Sequence, residues 1–180
     1  FRNNRHNVGF MLLDKLADRL GVQFSRMEMK ALVSKSNYHD QRLVLAKPHT
    51  FMNLSGQAVG ALIRFYQTPI SRLLVAYDDV DLPFGMLRIR PGGGSGGQKG
   101  VASIIERLGT QDFPRIRIGI ARPPGRMDAA DYVLQDFSAD EKQHIQITLN
   151  DGVDAVLLFI KEGLDSAMNR FNPQVRENEL

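Results

Sequence analysis

Hydrophobic residues along this chain follow two periods, and segments of the two kinds alternate. From Val8 to Leu20 every fourth residue is apolar, which places one apolar stripe on an amphipathic helix that ends at Gly21. The same spacing predicts further helices over residues 55–66, 101–108, 139–150 and 153–161. Residues 171–180 lack such a pattern and predict a C-terminal tail.

Shorter apolar or alternating runs between these helices predict β-strands. The predicted strands are residues 31–34, 43–46, 73–77, 86–90 and 115–120. The last two alternate apolar with basic residues, which predicts one wet, basic face. Because helices alternate with strands, we predict an α/β fold. It would be a single domain over residues 1–180, a three-layer α/β/α sandwich around a twisted mixed β-sheet.

Composition narrows the class of protein. The chain has 180 residues, of which 43% are hydrophobic, enough for one substantial core and short for two. It contains no run of about 20 apolar residues and no signal peptide at its start, so we predict a cytoplasmic protein without membrane contact. The absence of cysteine excludes disulfides, thiolate catalysis and zinc–thiolate sites.

Positive charge is concentrated in one part of the chain, although the net charge is only +3. Between residues 88 and 126 the only acids are Glu106 and Asp112. The basic residues of this window are Arg88, Arg90, Lys99, Arg107, Arg115, Arg117, Arg122 and Arg126. Because they flank a glycine-rich loop, they indicate an anionic, phosphate-bearing partner, with a solvated surface as the alternative.

The glycine-rich loop, residues 92–97, matches several motifs at once. It fits a dinucleotide-binding pattern, but that pattern follows a buried strand and residues 86–90 are half polar. It fits a serine nucleophile pattern at Ser95, but the only later histidine, His144, lies in a predicted helix. The Walker pattern fails because Gln98 precedes Lys99. There remains a flexible backbone whose N–H groups, beside Lys99 at a helix start, can hold a phosphate.

His6 is the best candidate for a general base among the four histidines. It stands at the start of the first predicted helix, where a side chain can be held and still reach a cleft. A neutral imidazole accepts a proton from water near pH 7, and a carboxylate on its other nitrogen fixes the tautomer. His39 lies in a polar turn and His144 on a helix, and both fit structural or solvated positions.

Asp78 is the best candidate for the carboxylate that orients His6. It follows the predicted strand 73–77, and open α/β sheets hold their ligands at the carboxyl ends of strands. Asp79 and Asp81 leave open the alternative of an acidic metal cluster. Asn53, at the start of a predicted helix, is either a helix cap or an amide that orients water or an oxyanion.

Six segments, in order, resemble those of the bacterial-type peptidyl-tRNA hydrolase family. They are RHNVGF, KPHTFMNLSG, VAYDDVDLPFG, RPGGGSGGQKG, FPRIRIGIARPPG and DYVL, and the resemblance runs from Phe1 to Asn172. It implies a hydrolase that cleaves the ester between a peptide and the 3′ ribose of tRNA, in translation and ribosome rescue. The partner would be the acceptor stem and 3′ end of a peptide-bearing tRNA. The resemblance implies a monomer that uses no metal and no cofactor.

The same resemblance implies catalytic roles for three residues. His6 would be the general base, Asp78 would orient it, and Asn53 would contact substrate and water.

It also implies a substrate-binding set. Met52 would line the peptide channel beside Asn53, and Phe1 stands where the family usually has a substrate-contacting tyrosine. Arg90 and Arg117 would clamp the terminal phosphate of the acceptor stem, and Lys99 would meet a phosphate.

Two departures from the family pattern qualify the resemblance. The family has a first strand and a turn bearing an asparagine before the position of Phe1, and we expect that this segment is missing before residue 1. The loop end reads Gln98-Lys99-Gly100 where the family often has His-Asn-Gly, which leaves the role of Lys99 open. The alternative function is an RNA-binding scaffold on the same fold, as in plant organellar splicing factors.

Overall fold

A computed structural model describes residues 3–173 of the chain. Its helices are α1 (Val8–Leu20), α2 (Ser55–Tyr66), α3 (Lys99–Leu108), α4 (Ala129–Val133), α5 (Ala139–Glu162) and α6 (Leu164–Phe171). Its strands are β1 (Arg26–Glu28), β2 (Ala31–Tyr38), β3 (Gln41–Pro48), β4 (Val75–Asp79), β5 (Leu87–Arg90) and β6 (Arg115–Gly119). The predicted α/β class is confirmed. Within the described range, no helix has both the length and the apolar character needed to cross a membrane.

The strands form two three-stranded sheets. The first has the order β1-β2-β3 and is antiparallel throughout. Its hairpin turns at His39 and Asp40, which have positive φ angles of 46° and 62°. The second sheet has the order β4-β6-β5, in which β4 is parallel and β5 antiparallel to β6. This second sheet is the mixed one that the sequence predicts.

Helices cover both faces of the mixed sheet. On one face the largest apolar cluster joins α1 and α5 to Ile116 and Ile118 of β6, which are 1% and 0% exposed. On the other face, Val101 and Ile104 of α3 pack with Tyr77 and Phe113. The three-layer arrangement follows from this division, because β4 has apolar neighbours on both sides.

Most predicted strands differ from the structure by one to four residues at an end, and two differences change the interpretation of the fold. The fourth strand is Val75–Asp79 instead of residues 73–77, so Asp78 and Asp79 belong to the strand and do not follow it. The two predicted C-terminal helices are one, Ala139–Glu162. Gly152, near the expected break, lies inside this helix, where a Cβ atom would be 2.9 Å from a methyl group of Leu12. That glycine permits close packing and does not end the helix.

The prediction that β6 presents a solvent-exposed basic face is wrong at Arg115. This residue is 1% exposed, and its guanidinium group donates hydrogen bonds to the carbonyl oxygens of Gly94, at 3.0 Å, and Gln111, at 2.8 Å. Arg115 therefore ties the glycine-rich loop to the sheet. The predicted tail, residues 171–180, begins too early, because Phe171 is the last residue of α6 and the Asn172 side chain hydrogen-bonds both the N–H and the carbonyl oxygen of Ile89. Residues 174–180 lie outside the described range.

Candidate active site

The predicted pair of His6 and Asp78 is in direct contact. His6 lies in a short 3-10 turn, Arg5–Asn7, immediately before α1, and Asp78 lies near the carboxyl end of β4. Nδ1 of His6 is 2.9 Å from Oδ2 of Asp78. The Asp78 side chain is 4% exposed and that of His6 is 20% exposed. A buried carboxylate therefore binds Nδ1, and Nε2 is the ring nitrogen left for another partner.

A glycine in α1 lets the start of that helix approach β4 closely. A Cβ atom at Gly9 would lie 2.5 Å from the carbonyl oxygen of Ala76, nearer than two unbonded atoms can come. Only glycine therefore allows the helix to lie directly on the strand. The side chain of Asn4 accepts a hydrogen bond from the Asn7 N–H at 3.0 Å and caps the turn that carries His6.

Arg5 fixes the same turn from the opposite side. It is 7% exposed, and Nη2 is 2.8 Å from Oε1 of Glu141 on α5. Nη1 donates to the carbonyl oxygen of Gln135, and the guanidinium group lies 4.2 Å from the ring centre of Tyr132. Arg5 was not among the predicted site residues, because its place beside His6 in the RHNVGF segment does not distinguish a buried anchor from a surface charge.

The electrostatic surroundings of His6 favour its protonated form. Burial of the ring lowers the pKa, but the hydrogen bond and the negative charge of Asp78 outweigh burial, while the charge of Lys99 opposes them. The net result is a pKa raised above 6.5. An imidazole of this kind is a stronger proton acceptor than free histidine, as a general base requires.

Gln98, which the sequence analysis did not include in the site, contacts the other oxygen of Asp78. Its Nε2 donates to Oδ1 of Asp78 at 3.2 Å and lies 3.7 Å from the sulfur of Met52. Its Oε1 accepts the Val101 N–H at 2.8 Å and so caps α3. The signal in the sequence was its position as the first residue after the glycine-rich loop and the last before a helix.

Met52 lies beside this group and Asn53 follows it on the same turn. The two residues begin the 3-10 turn Met52–Leu54, which precedes α2. A Cβ atom at Gly100 would lie 2.6 Å from the sulfur of Met52, so this turn packs tightly on the start of α3. The cap position of α2 is Leu54, so the interpretation of Asn53 as a helix cap is wrong. Asn53 is exposed, and within residues 3–173 its side chain makes no hydrogen bond.

Lys99 begins α3 and is exposed. Its positive charge acts on His6 and lowers the pKa of the imidazole, so Lys99 lies within electrostatic reach of His6. Phe1, also predicted to contact substrate, lies outside the described residues.

Four arginines form a block across β5 and β6. Arg88 lies opposite Arg117, and Arg90 lies opposite Arg115. Residues directly opposite each other in an antiparallel pair project from the same face, and like charges in these places repel unless an anion lies between them. Arg117 is compensated by Asp79, whose Oδ2 is 2.6 Å from its Nε. Nε of Arg88 is buried without a partner in the described part of the chain.

The three neighbouring aspartates bind different partners and do not form a cluster. Asp78 binds His6 and Gln98, as described above. Asp79 binds Arg117 and accepts the Asp81 N–H, and Asp81 binds Arg122. Among residues 3–173, no three histidine or acidic side chains converge in a way that could hold a metal ion.

Ser95 and His144 have separate partners. The Ser95 hydroxyl accepts the N–H of Gly97, in its own loop, at 3.3 Å. His144 packs edge-on against Phe84, with 5.2 Å between ring centres, and covers Gly85. These contacts give the serine no histidine to activate it and support the structural interpretation of His144.

Comparison with known proteins gives one family. The sequence model described as peptidyl-tRNA hydrolase matches residues 1–179. The peptidyl-tRNA hydrolase of Chloroflexus aurantiacus is 50% identical over 174 residues, which are 96% of this chain and 93% of that protein. The chloroplastic peptidyl-tRNA hydrolase of Arabidopsis thaliana is 45% identical over 181 residues, all of this chain and 63% of that protein.

A solved structure agrees with the sequence comparisons. The crystal structure of peptidyl-tRNA hydrolase from Acinetobacter baumannii superimposes with a TM-score of 0.90 at 29% identity. The match covers 96% of this chain and 88% of that chain. The α/β arrangement described above is therefore the same fold.

Proposed function

The chain belongs to the peptidyl-tRNA hydrolase family, and from this premise we infer that it hydrolyses the ester bond of peptidyl-tRNA, releasing the peptide and free tRNA. The observation that carries the chemical assignment is the contact of 2.9 Å between His6 and the buried Asp78. A histidine held by a carboxylate on Nδ1, with Nε2 open, is the arrangement that general-base hydrolysis requires.

The reaction follows from this geometry. Nε2 of His6 takes a proton from water, and the resulting hydroxide attacks the ester carbonyl carbon. Asp78 stabilises the imidazolium that forms. The exposed side-chain amide of Asn53 donates to the oxyanion. The imidazolium then returns its proton to the departing 3′ oxygen of tRNA, and no step uses a metal or a cofactor.

Three arginines of the block, Arg88, Arg90 and Arg117, are the proposed contact for the acceptor stem. Asp79 bonds Nε of Arg117, and among residues 3–173 neither Nη group of Arg117 has a hydrogen-bond partner, so both are available to a phosphate. Arg90 is exposed beside it, and Arg88, which the sequence analysis left out of the clamp, lies directly opposite Arg117. A phosphate at this place would relieve the repulsion between the facing arginines. Such contacts give binding that weakens as salt rises.

The remaining contacts complete the proposed site. Lys99, within electrostatic reach of His6, would meet a phosphate near the 3′ end, and Met52 would line the channel for the peptide. We propose that residues 1–180 act as one domain, as a monomer and in the cytoplasm.

One assay tests this function. The full chain is incubated with an N-acetylated aminoacyl-tRNA in the presence of EDTA, and release of the blocked amino acid is followed. We expect catalytic release, and we expect the Ser95→Ala variant to release at the wild-type rate. Binding of the tRNA without release would instead support an RNA-binding scaffold, and loss of release in Ser95→Ala would support a serine esterase.

A further inference from the structure

The side-chain amide of Gln98 can adopt only one orientation. Its Oε1 accepts the N–H of Val101 at 2.8 Å, and a backbone N–H can only donate. The oxygen must therefore face the helix, and Nε2 must face Asp78 and Met52. The backbone N–H of Gln98 bonds the carbonyl oxygen of Ser95 at 3.1 Å, which holds the residue at both ends.

The Asp78 carboxylate consequently has a different partner on each oxygen. His6 occupies Oδ2 at 2.9 Å and Gln98 occupies Oδ1 at 3.2 Å. With the His6 contact alone, the carboxylate could rotate about its terminal bond and still keep one hydrogen bond. A second donor on the other oxygen fixes the plane of the group. Partners behind the residues that contact substrate commonly orient them in this way.

We propose that Gln98 is a positioning residue of the reaction, whose amide fixes the Asp78 carboxylate so that the imidazole of His6 stays directed at the attacking water. The proposal rests on the proposed roles of His6 and Asp78. It also joins two parts of the molecule, because the residue that holds the carboxylate is the cap of α3 and borders the glycine-rich loop.

Two substitutions separate positioning from capping. Gln98→Glu keeps an oxygen for the Val101 N–H but places a second oxygen, with negative charge, against Asp78. Gln98→Met has similar length and removes both donor and acceptor without adding charge. The matched control is Gln41→Glu, an exposed glutamine at the hairpin end of β3.

We expect kcat to fall on the order of 10- to 100-fold in both Gln98 variants, the usual effect of losing a hydrogen bond to a charged group. The KM of Gln98→Met should stay within about twofold of the wild-type value, because the substitution keeps the length of the side chain and adds no charge. In Gln98→Glu the acid limb of kcat/KM should move to higher pH. The added negative charge joins Asp78 in favouring the imidazolium of His6, against the opposing charge of Lys99.

A purely structural cap predicts another result. Gln98→Glu would then keep turnover, since glutamate also caps the helix, and only the thermal stability of Gln98→Met would fall. Wild-type kcat in Gln98→Glu, or a raised KM at unchanged kcat in Gln98→Met, would overturn the positioning role. His6→Asn and Asp78→Asn are measured in parallel. If those two variants retain turnover, the proposed roles of His6 and Asp78 fail, and this is distinguishable from a failure at Gln98 alone.

Discussion

Asp79 binds Nε of Arg117 at 2.6 Å, one residue along β4 from the aspartate that binds His6. Successive residues of a strand project to opposite faces, so one strand end supplies two carboxylates with different tasks. Asp78 holds the proposed base, and Asp79 holds an arginine of the proposed RNA-binding block. The spacing between the hydrolytic site and the phosphate contact is thereby set by the backbone of a single strand.

Arg117→Ala and Arg90→Ala should each weaken the binding of tRNA without changing the rate of the chemical step. Removing one phosphate contact should raise KM and reduce the slope of log K against log salt by about one, with kcat at saturation little changed. Arg42→Ala, an exposed arginine on β3, is the control. Salt slopes equal to the wild-type slope in both variants would make the block a solvated surface.

Asp78→Asn should change both the rate and its pH dependence. Turnover should fall clearly, though less than on loss of His6, because the carboxylate orients the base and does not transfer the proton. In the wild-type protein the base is active when neutral, so kcat/KM should rise with pH through an apparent pKa above 6.5. In Asp78→Asn, burial and Lys99 both lower the pKa of His6, so the limb should move below 6.5. If the acid limb of kcat/KM does not move in Asp78→Asn, the limb does not report the titration of His6.

Lys99→Ala should shift the acid limb of kcat/KM in the direction opposite to Asp78→Asn. The charge of Lys99 lowers the pKa of His6, so its removal should shift the acid limb to higher pH. Binding of tRNA should weaken, because a cation beside the cleft is lost. The fold should be intact or slightly more stable, since a positive charge at a helix N-terminus opposes the helix dipole. If Lys99→Ala binds tRNA with wild-type affinity and its acid limb of kcat/KM does not move, Lys99 lies outside the site.

Gly9→Ala should lower the stability of the fold, for a reason that the pattern of apolar residues does not reveal. The new methyl group would meet the backbone oxygen of Ala76, which cannot rotate away. We expect about 1–3 kcal/mol lower stability. We also expect a lower kcat, because the turn that contains His6 leads directly into α1 and would move with it. Gly152→Ala is the matched control: it meets only a methyl end of Leu12, and alanine is the better helix former. Equal thermal stability of the two variants would contradict this account of the α1–β4 contact.

The sequence predicted the elements whose apolar period is long and regular. The helix at residues 8–20 and the helix at residues 55–66 match α1 and α2 at both ends. It could not give the end of β4, because Asp78 and Asp79 are polar and yet buried, and only their partners across the fold make them part of a strand. The sequence predicted two helices on either side of Gly152 where the structure has the single helix α5. In a sequence, a glycine that permits packing against another helix cannot be told from a glycine that ends a helix.

In the candidate site, too, some residues could be predicted from the sequence and others could not. His6, Asp78 and the basic block were predicted because chemistry and order along the chain identify such residues. Gln98 was missed because its role depends on a contact between residues 20 apart in sequence, which no local pattern records. Arg115 resembled its neighbours in the sequence, and only burial separates the arginine that holds the loop from those available to RNA.

The most direct test of the account is a comparison of two histidine variants in single-turnover hydrolysis of N-acetylated aminoacyl-tRNA. His6→Asn removes the proposed base, while His39→Asn changes an exposed histidine in the β2–β3 hairpin, whose positive φ asparagine tolerates. We predict that His6→Asn lowers the rate by roughly 10²–10⁴-fold and still binds tRNA, and that His39→Asn matches the wild-type protein. A His6→Asn variant that hydrolyses the substrate at the wild-type rate would contradict the central claim.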